Sequence, residues 1–405
     1  MAIGVGIGVP FKHSGGGGAV ANPDFVSTWN VASDGSTITL PLLSGGTYSG
    51  TIDWGDSSTS SLSYANRTHT FTTAGTYTIT ITGVQCQGFQ FNNGGDKLKL
   101  TGISNFGILD ISTVGAFFGC TNIDVTATDA PIISTTSLLD TFRGCSSLTT
   151  PDFNAWDVSL VTSFQNFTYT ATNFNGFIGD WDTSSATNMS NMFYNTAFNG
   201  DIDGWDVSNV TTMLGTFFGT TYSQSLNSWD VTGVLNFTRT FRNATVTANI
   251  SSWVPSAATN MTSMFHGGSF NGDISGWNVG NVERFLDIFR ENSTFNQDIG
   301  GWNMSSATTL QNFFYKSSQT LPFDQDVSLW DINQATNLTN LFTGLTGLST
   351  ANYDALLIAW AAQGAMSYSG TVNFGGSKYT AGGAAETART DLIGRWGGIT
   401  DGGAA

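Results

Sequence analysis

Residues Phe198–Phe217 read FNGDIDGWDVSNVTTMLGTF, and this stretch recurs, worn but legible, about every two dozen residues. With Trp205 as position 0, tryptophans fall at Trp156, Trp181, Trp205, Trp229, Trp253, Trp277, Trp302 and Trp330, at spacings of 25, 24, 24, 24, 24, 25 and 28. A fixed period of this size marks a solenoid, whose units bury their apolar faces only against one another. An aliphatic residue precedes most tryptophans by three (Ile178, Ile202, Leu226, Ile250), and Phe174, Phe198, Phe270 and Phe295 stand seven before. Apolar residues follow at +5, +8 and +12, as in Val210, Met213 and Phe217. Steps of three and four share a helical face, and Ser or Thr at +3 reads as its N-cap. Each unit is therefore expected to be a short strand around Ile–Trp–Val, two turns of helix and a Gly/Asn turn. The fixed phase of the tryptophans with the aliphatic positions assigns all eight to the core.

The flanks differ. Phe106 and Ala130 take the tryptophan position in two leading units, with Phe118 and Phe142 at +12, giving about ten coils between residues 98 and 345. From Phe25 to Gly83 short alternating stretches read as strands, Thr76–Thr82 most clearly. After Phe342 the period stops. Tyr353–Gln363 and Ala384–Trp396 read as helices around a turn-rich hairpin, forming a cap over the last coil.

Two family resemblances follow from these residues. Asp53-Trp54-Gly55-Asp56-Ser57-Ser58, with the later His69-Thr70-Phe71 and Gly75-Thr76-Tyr77, resembles the paired signatures of PKD-type β-sandwiches. Ser57 replaces that family's usual glycine. Phe270-Asn271-Gly272-Asp273-Ile274-Ser275-Gly276-Trp277 and Trp205-Asp206-Val207-Ser208-Asn209-Val210-Thr211-Thr212-Met213 resemble the repeat of BspA-type, leucine-rich-repeat-like surface proteins. The expected fold is mixed β with short helices: a Gly-rich docking arm (1–24), a PKD-like β-sandwich (25–88), a solenoid of about ten 24-residue coils (89–345) and a C-terminal cap (346–405). The resemblance implies spacer and adhesive roles, with no enzyme chemistry attached to the repeat.

Composition narrows the function. Only 10% of the 405 residues are charged, and the formal net charge is −16. Nucleic acid needs a basic face, and anionic membrane surfaces are disfavoured for the same reason. No apolar run approaches the length of a membrane span. Cys120 and Cys145 occupy nearly equivalent places in adjacent units; two buried thiols are preferred over a disulfide. The N-terminal MAIGVGIGVP lacks the basic start and cleavage site of a secretory signal.

Candidate chemistry is sparse. Asp157, Asp182, Asp206, Asp230 and Asp331 recur at +1, and Asp152, Asp201, Asp273, Asp298 and Asp326 at −4. Stacked carboxylates suit Ca²⁺ or a glycan, but interleaving with Asn278 and Asn303 favours turn-making Asx residues. Asp53 and Asp56 are weak calcium candidates, and no other cofactor is expected. His13, His69 and His266 are too scattered for a triad or a zinc site, and no catalytic residue is assigned. Rare charges gather at Arg239, Arg242, Glu283, Arg284, Arg290 and Glu291, a candidate contact surface. The sequence thus predicts a non-enzymatic virion or phage-like particle component. It would dock to other subunits through residues 1–24 and project its solenoid toward a host-surface glycan or protein. A bacterial cell-surface adhesin is the alternative, and a polysaccharide-active enzyme a remote one.

Overall fold

The computed structural model describes residues 24–318, 321–364 and 368–405. The chain is mostly β-bridged and turn-built, with two short helices among the described residues and no closed barrel. Residues 1–23 of the expected docking arm lie outside the described residues.

The N-terminal part holds β1 (Phe25–Val31), β2 (Thr37–Thr39), β3 (Tyr48–Asp53), β4 (Thr59–Ser61), β5 (Thr68–Thr70) and β6 (Gly75–Gln87). Strand β6 carries the alternation expected of it: Ile79 and Ile81 face the core, with Thr78 and Thr80 outside. β6 pairs antiparallel with β1 and β3, while β2 pairs with β5. The same sheet continues into the repeats, because β1 also pairs with β7 (Leu100–Asn105) and the end of β6 with β8 (Leu109–Ile111). β7 and β8 then pair in parallel with β9 (Asp124–Val125) and β10 (Ile132–Ile133).

Beyond β10 successive repeat segments lie side by side. Parallel bridges run Ser137, Ser163, Asn188, Thr212, Asn236, Asn260, Arg284, Thr309, Asn337, one residue per segment at +7. Two short pieces, β11 (Thr221–Tyr222) and β12 (Thr245–Val246), add a second contact. This corrects two expectations. The strand-like column sits at +7 rather than around Ile–Trp–Val, and no helix follows it.

The physical reason lies in the backbone at +10. Asp140, Asn166, Asn191, Gly215, Arg239, Ser263, Asp287, Asn312 and Asn340 all have φ between 54° and 62°. Most segments place a second such residue at +14 (Gly144, Asn195, Gly219, Asn243, Gly267). A left-handed residue every fourth position breaks the α-helical run, and Gly and Asn adopt it at least cost. Alternate N–H groups then point out of the segment. In one pair of layers the amides of Met213, Gly215, Phe217 and Gly219 donate to the carbonyls of Asn236, Thr238, Thr240 and Arg242 in the next, at 2.9–3.0 Å. The intervening amides close turns three residues back, as Thr216 does to Met213.

Side chains reinforce these rungs. Every indole from Trp181 to Trp330 donates to a backbone carbonyl of the preceding layer; Trp205, Trp229 and Trp253 reach Ile178, Ile202 and Leu226 at 3.1, 2.9 and 2.7 Å. The rings stack nearly parallel, with centroids 6.0–6.5 Å apart from Trp156 to Trp302. All eight indoles are buried. Phe217, Phe241, Phe265, Phe289, Phe314 and Phe342 form a second aromatic ladder. Its leading member is Phe117 rather than Phe118: Phe117 stacks on Phe142 at 5.2 Å, so the first unit is one residue out of the expected register. The three cysteines are free and buried, and burial raises each thiol pKa well above its usual value.

The C-terminal end covers the last layer. Helix α1 (Thr350–Ala362) is capped by Ser349 and buries Tyr353, Leu356, Leu357 and Trp360 on one face. Helix α2 (Ala384–Arg395) connects β13 (Thr371–Asn373) to β14 (Gly398–Thr400), which pair in parallel, so the expected hairpin is instead a strand–helix–strand unit. Phe374 stacks on Phe342 at 5.4 Å and extends the aromatic ladder into the cap. Arg389 grips Asp401 with two hydrogen bonds, 2.7 and 3.1 Å, and Tyr353 donates to the same carboxylate at 2.7 Å.

Two predictions follow. The Trp156 indole N–H has no partner among the described residues, whereas that of Trp229 has one. Both Trp→Phe changes lose similar ring volume, but only Trp229→Phe gives up a buried hydrogen bond, leaving the Ile202 carbonyl with the Trp205 N–H alone, so it should cost about 0.5–1.5 kcal/mol more in urea unfolding. In the cap, burial would raise the Asp401 pKa, but hydrogen bonds from Arg389 and Tyr353 outweigh it and hold the carboxyl below its ordinary 3.8. The folded value is depressed, so the stabilisation is complete above about pH 4 and is lost as pH falls through the folded value. Asp401→Asn should destabilise the cap by about 1.5–3 kcal/mol at neutral pH, seen as faster amide exchange across residues 350–405.

Candidate functional site

Position +13 lies between the two left-handed residues of most turns. Its carbonyl accepts from the +14 amide of the preceding layer and its own amide closes a turn, as in Gly219 N–H to Arg242 O (2.9 Å) and Arg242 N–H to Arg239 O (3.1 Å). Side chains at this position are therefore held in register. Along the column they are Phe118, Arg143, Tyr169, Tyr194, Phe218, Arg242, His266, Arg290 and Tyr315, with Thr343 in the last layer, all half-buried.

They form a continuous stripe. The Arg143 guanidinium lies 4.8 Å from the Phe118 ring centre and 5.0 Å from that of Tyr169. Tyr169 stacks on Tyr194 at 4.5 Å and Tyr194 on Phe218 at 4.1 Å. Arg242 sits 5.9 Å over Phe218, and Arg290 5.0 Å over Tyr315. Because the flat faces are turned to one another, ring edges and guanidinium rims meet solvent. Aromatic edges carry the positive end of the ring quadrupole, and the guanidinium rim is a line of N–H donors. An aromatic and basic seam thus runs along a chain of formal charge −16, with Arg143 paired to Asp140 at 3.3 Å.

The seam is most basic around Arg239, Arg242, His266 and Arg290. Arg239 and Arg242 make no ion pair among the described residues, while Arg290 lies 3.5 Å from Asp287. Asp287 also accepts from Asn312 at 2.8 Å, and Glu291 accepts from the amide and hydroxyl of Ser317. The inward nitrogens Arg242 Nε, His266 Nδ1 and Arg290 Nε are buried without a hydrogen-bond partner among the described residues. Burial first, and the Arg242 charge second, lower the His266 pKa to about 4, so this imidazole is neutral at neutral pH. Burial and the Arg239 charge likewise lower the Arg242 pKa.

Of the six charges singled out in the sequence, the structure brings Arg239, Arg242, Arg290 and Glu291 together. Glu283 and Arg284 stand apart, at +6 and +7, on the face where Thr187, Thr211, Thr259 and Thr308 line up exposed. There each +6 amide, and most threonine hydroxyls, donate to the +6 carbonyl of the preceding layer. Sequence reasoning missed Arg143, Tyr169, Tyr194, Phe218, His266 and Tyr315; aligning the repeats on tryptophan and reading down +13 would have found them.

The acidic columns are occupied locally. Asp157, Asp206 and Asp230 each accept from the amide and hydroxyl of the Ser or Thr two residues on, and Asp152, Asp201, Asp273, Asp298 and Asp326 accept from the amide two residues on. These are Asx turns. Asp53 accepts from Gly55 N–H at 2.9 Å; Asp56 accepts from Ser58 N–H at 3.1 Å and lies 2.7 Å from His69 Nε2. Partial burial would raise the Asp56 pKa, but hydrogen bonds from Ser58 and His69 hold it below the usual range. Among the described residues no three His, Cys, Asp or Glu side chains gather as metal ligands, and no helix is long and apolar enough to cross a membrane.

Arg239 occupies the left-handed region at φ 59°, where a long side chain costs stability that Asn does not. Arg239→Asn should therefore stabilise the protein by about 1 kcal/mol, measured as a higher urea midpoint with unchanged slope.

A family model described as "Mycoplasma protein of unknown function, DUF285" matches residues 136–253 and again 236–354. The two matches cover the layers that carry most of the stripe and together exceed half of the chain. Comparison with curated proteins and with solved structures gave no match.

Proposed function

The chain belongs to the DUF285 family, and from that premise we propose that it is a non-enzymatic attachment protein of the BspA-like type. In this reading a PKD-like β-sandwich spaces a capped solenoid, and the side of the solenoid engages a surface ligand. The observation that carries the reading is the +13 seam: nine aligned, half-buried aromatic and basic side chains whose backbone groups are already satisfied. Tyr and Arg supply large contact area and directional donors, as they do at binding surfaces generally. The acidic columns support no catalytic role, since their carboxylates hold their own turns. A bacteriophage-like particle or a bacterial envelope would carry the protein as part of a larger assembly. The arm proposed to dock it falls on residues outside the described ones, so the attachment reading stands on the seam alone.

Labelled full-length protein should bind saturably to intact cells or to an immobilised glycan panel. Tyr194→Ala combined with Phe218→Ala should lower that binding at least tenfold; loss of the two stacked half-buried rings lowers the thermal midpoint as well, while the transition stays cooperative and the tryptophan emission nearly unchanged. Absence of saturable binding to any surface, or binding that survives the double change, would contradict the reading.

A further inference from the structure

The basic end of the seam has features that surface attachment alone does not require. Arg242, His266 and Arg290 occupy one column on three consecutive layers, each with a buried inward nitrogen that has no hydrogen-bond partner among the described residues. Those nitrogens face inward, which leaves the outer N–H groups of the two guanidinium rims as the donors turned to solvent. Arg239 adds a third arginine at φ 59°, in a column otherwise filled largely by Asn, Asp and Gly. A left-handed backbone under a long side chain is strain, and strain of this kind clusters at ligand sites. The guanidinium groups of Arg239 and Arg242 donate no hydrogen bond and form no ion pair among the described residues, in a protein whose charge is strongly negative.

We infer that Arg239, Arg242, His266 and Arg290 form an anion-binding subsite for an acidic polysaccharide lying along the seam, a proposal that rests on the attachment reading and names its ligand class. Successive layers repeat at about the strand spacing of 4.8 Å, so Arg242 and Arg290 stand about 10 Å apart. An extended polymer that carries carboxylate or sulfate groups at intervals can meet both. Tyr194 on one side and Tyr315 on the other offer hydroxyls for sugar oxygens. An acidic peptide fits less well. An extended peptide binds largely through main-chain hydrogen bonds to a free edge, and along this column the carbonyls are committed to the preceding layer and the amides to their own turns. Asp287 and Glu291 border the subsite; Asp287 orients Arg290, and Glu291 is turned to Ser317.

The test uses full-length protein in affinity electrophoresis and calorimetry with four probes: polygalacturonate, dextran sulfate, neutral dextran and poly-L-glutamate. The expected result is binding of both acidic polysaccharides, with affinity falling steeply as salt is raised, and little retention by dextran. Arg242→Gln combined with Arg290→Gln should weaken that binding at least tenfold. Arg239→Asn should weaken it several-fold while raising the unfolding midpoint, a pairing that a purely structural arginine would not give. Equal binding of poly-L-glutamate, or undiminished binding by the double variant, would overturn the assignment. If the protein attaches to cells but retains neither acidic polysaccharide, this inference falls and the attachment reading survives. If it binds neither cells nor any probe, both fall.

Discussion

The structure depends on one repeated interaction, the hydrogen bond from a tryptophan indole to a backbone carbonyl one layer back. From Trp181 to Trp330 it fixes the phase of each layer against the last, and stacking of the rings holds that phase. Once the phase is set, four alternate amides between +8 and +14 meet carbonyls of the next layer. A slip by one residue would turn all four away from their acceptors, and buried amides without partners are costly. The layers are therefore specified together. No layer could stand alone, since each segment is too short to bury its own apolar face. This is why the ends matter. On one side β1 and β6 extend the sheet into the first layers, and on the other Phe374, Trp360 and the Asp401–Arg389 pair close the last one.

This arrangement separates the work of the inside from that of the outside. The Trp, Phe and aliphatic columns hold the protein together, and the Asx turns and left-handed residues shape the path of the chain. Side chains at +13 carry no such duty, because only their backbone is needed for the stack. They are free to vary, and they vary in a patterned way: an aromatic run from Tyr169 to Phe218, then a basic run from Arg242 to Arg290. At Arg239 and Glu291 long side chains occupy backbone conformations better suited to Asn or Gly. Local stability is sacrificed in the layers where the basic charges collect.

Much of this was legible in the sequence. The tryptophan period located the layers, the alternation of Ile79 and Ile81 located β6, and the spacing of Tyr353, Leu356, Leu357 and Trp360 located α1. The turn structure was not. Apolar residues at +5, +8 and +12 have helical spacing, yet the segment is not helical, because Asn or Gly at +10 and +14 break the run. Those residues were visible, but their meaning rests on repetition at a fixed offset rather than on local propensity. The same holds for the seam. Arg239, Arg242 and Arg290 stood out as rare charges, whereas Tyr169, Tyr194 and Phe218 looked like ordinary repeat aromatics until the layers placed them in one column. Glu283 and Arg284 were near in sequence but fell on another face, since +6 and +13 lie on different sides of the layer.

The central claim is that ligands meet this protein through side chains at +13, while the inter-layer backbone stays closed. Hydroxyl-radical footprinting of the full-length protein, free and attached to its target surface, tests this most directly. The account predicts reduced oxidation at Tyr169, Tyr194, Phe218 and His266, with no change at the core tryptophans and unaltered amide exchange. Protection confined to the threonine column around Thr187, Thr211 and Thr259, or to the acidic columns, would contradict it.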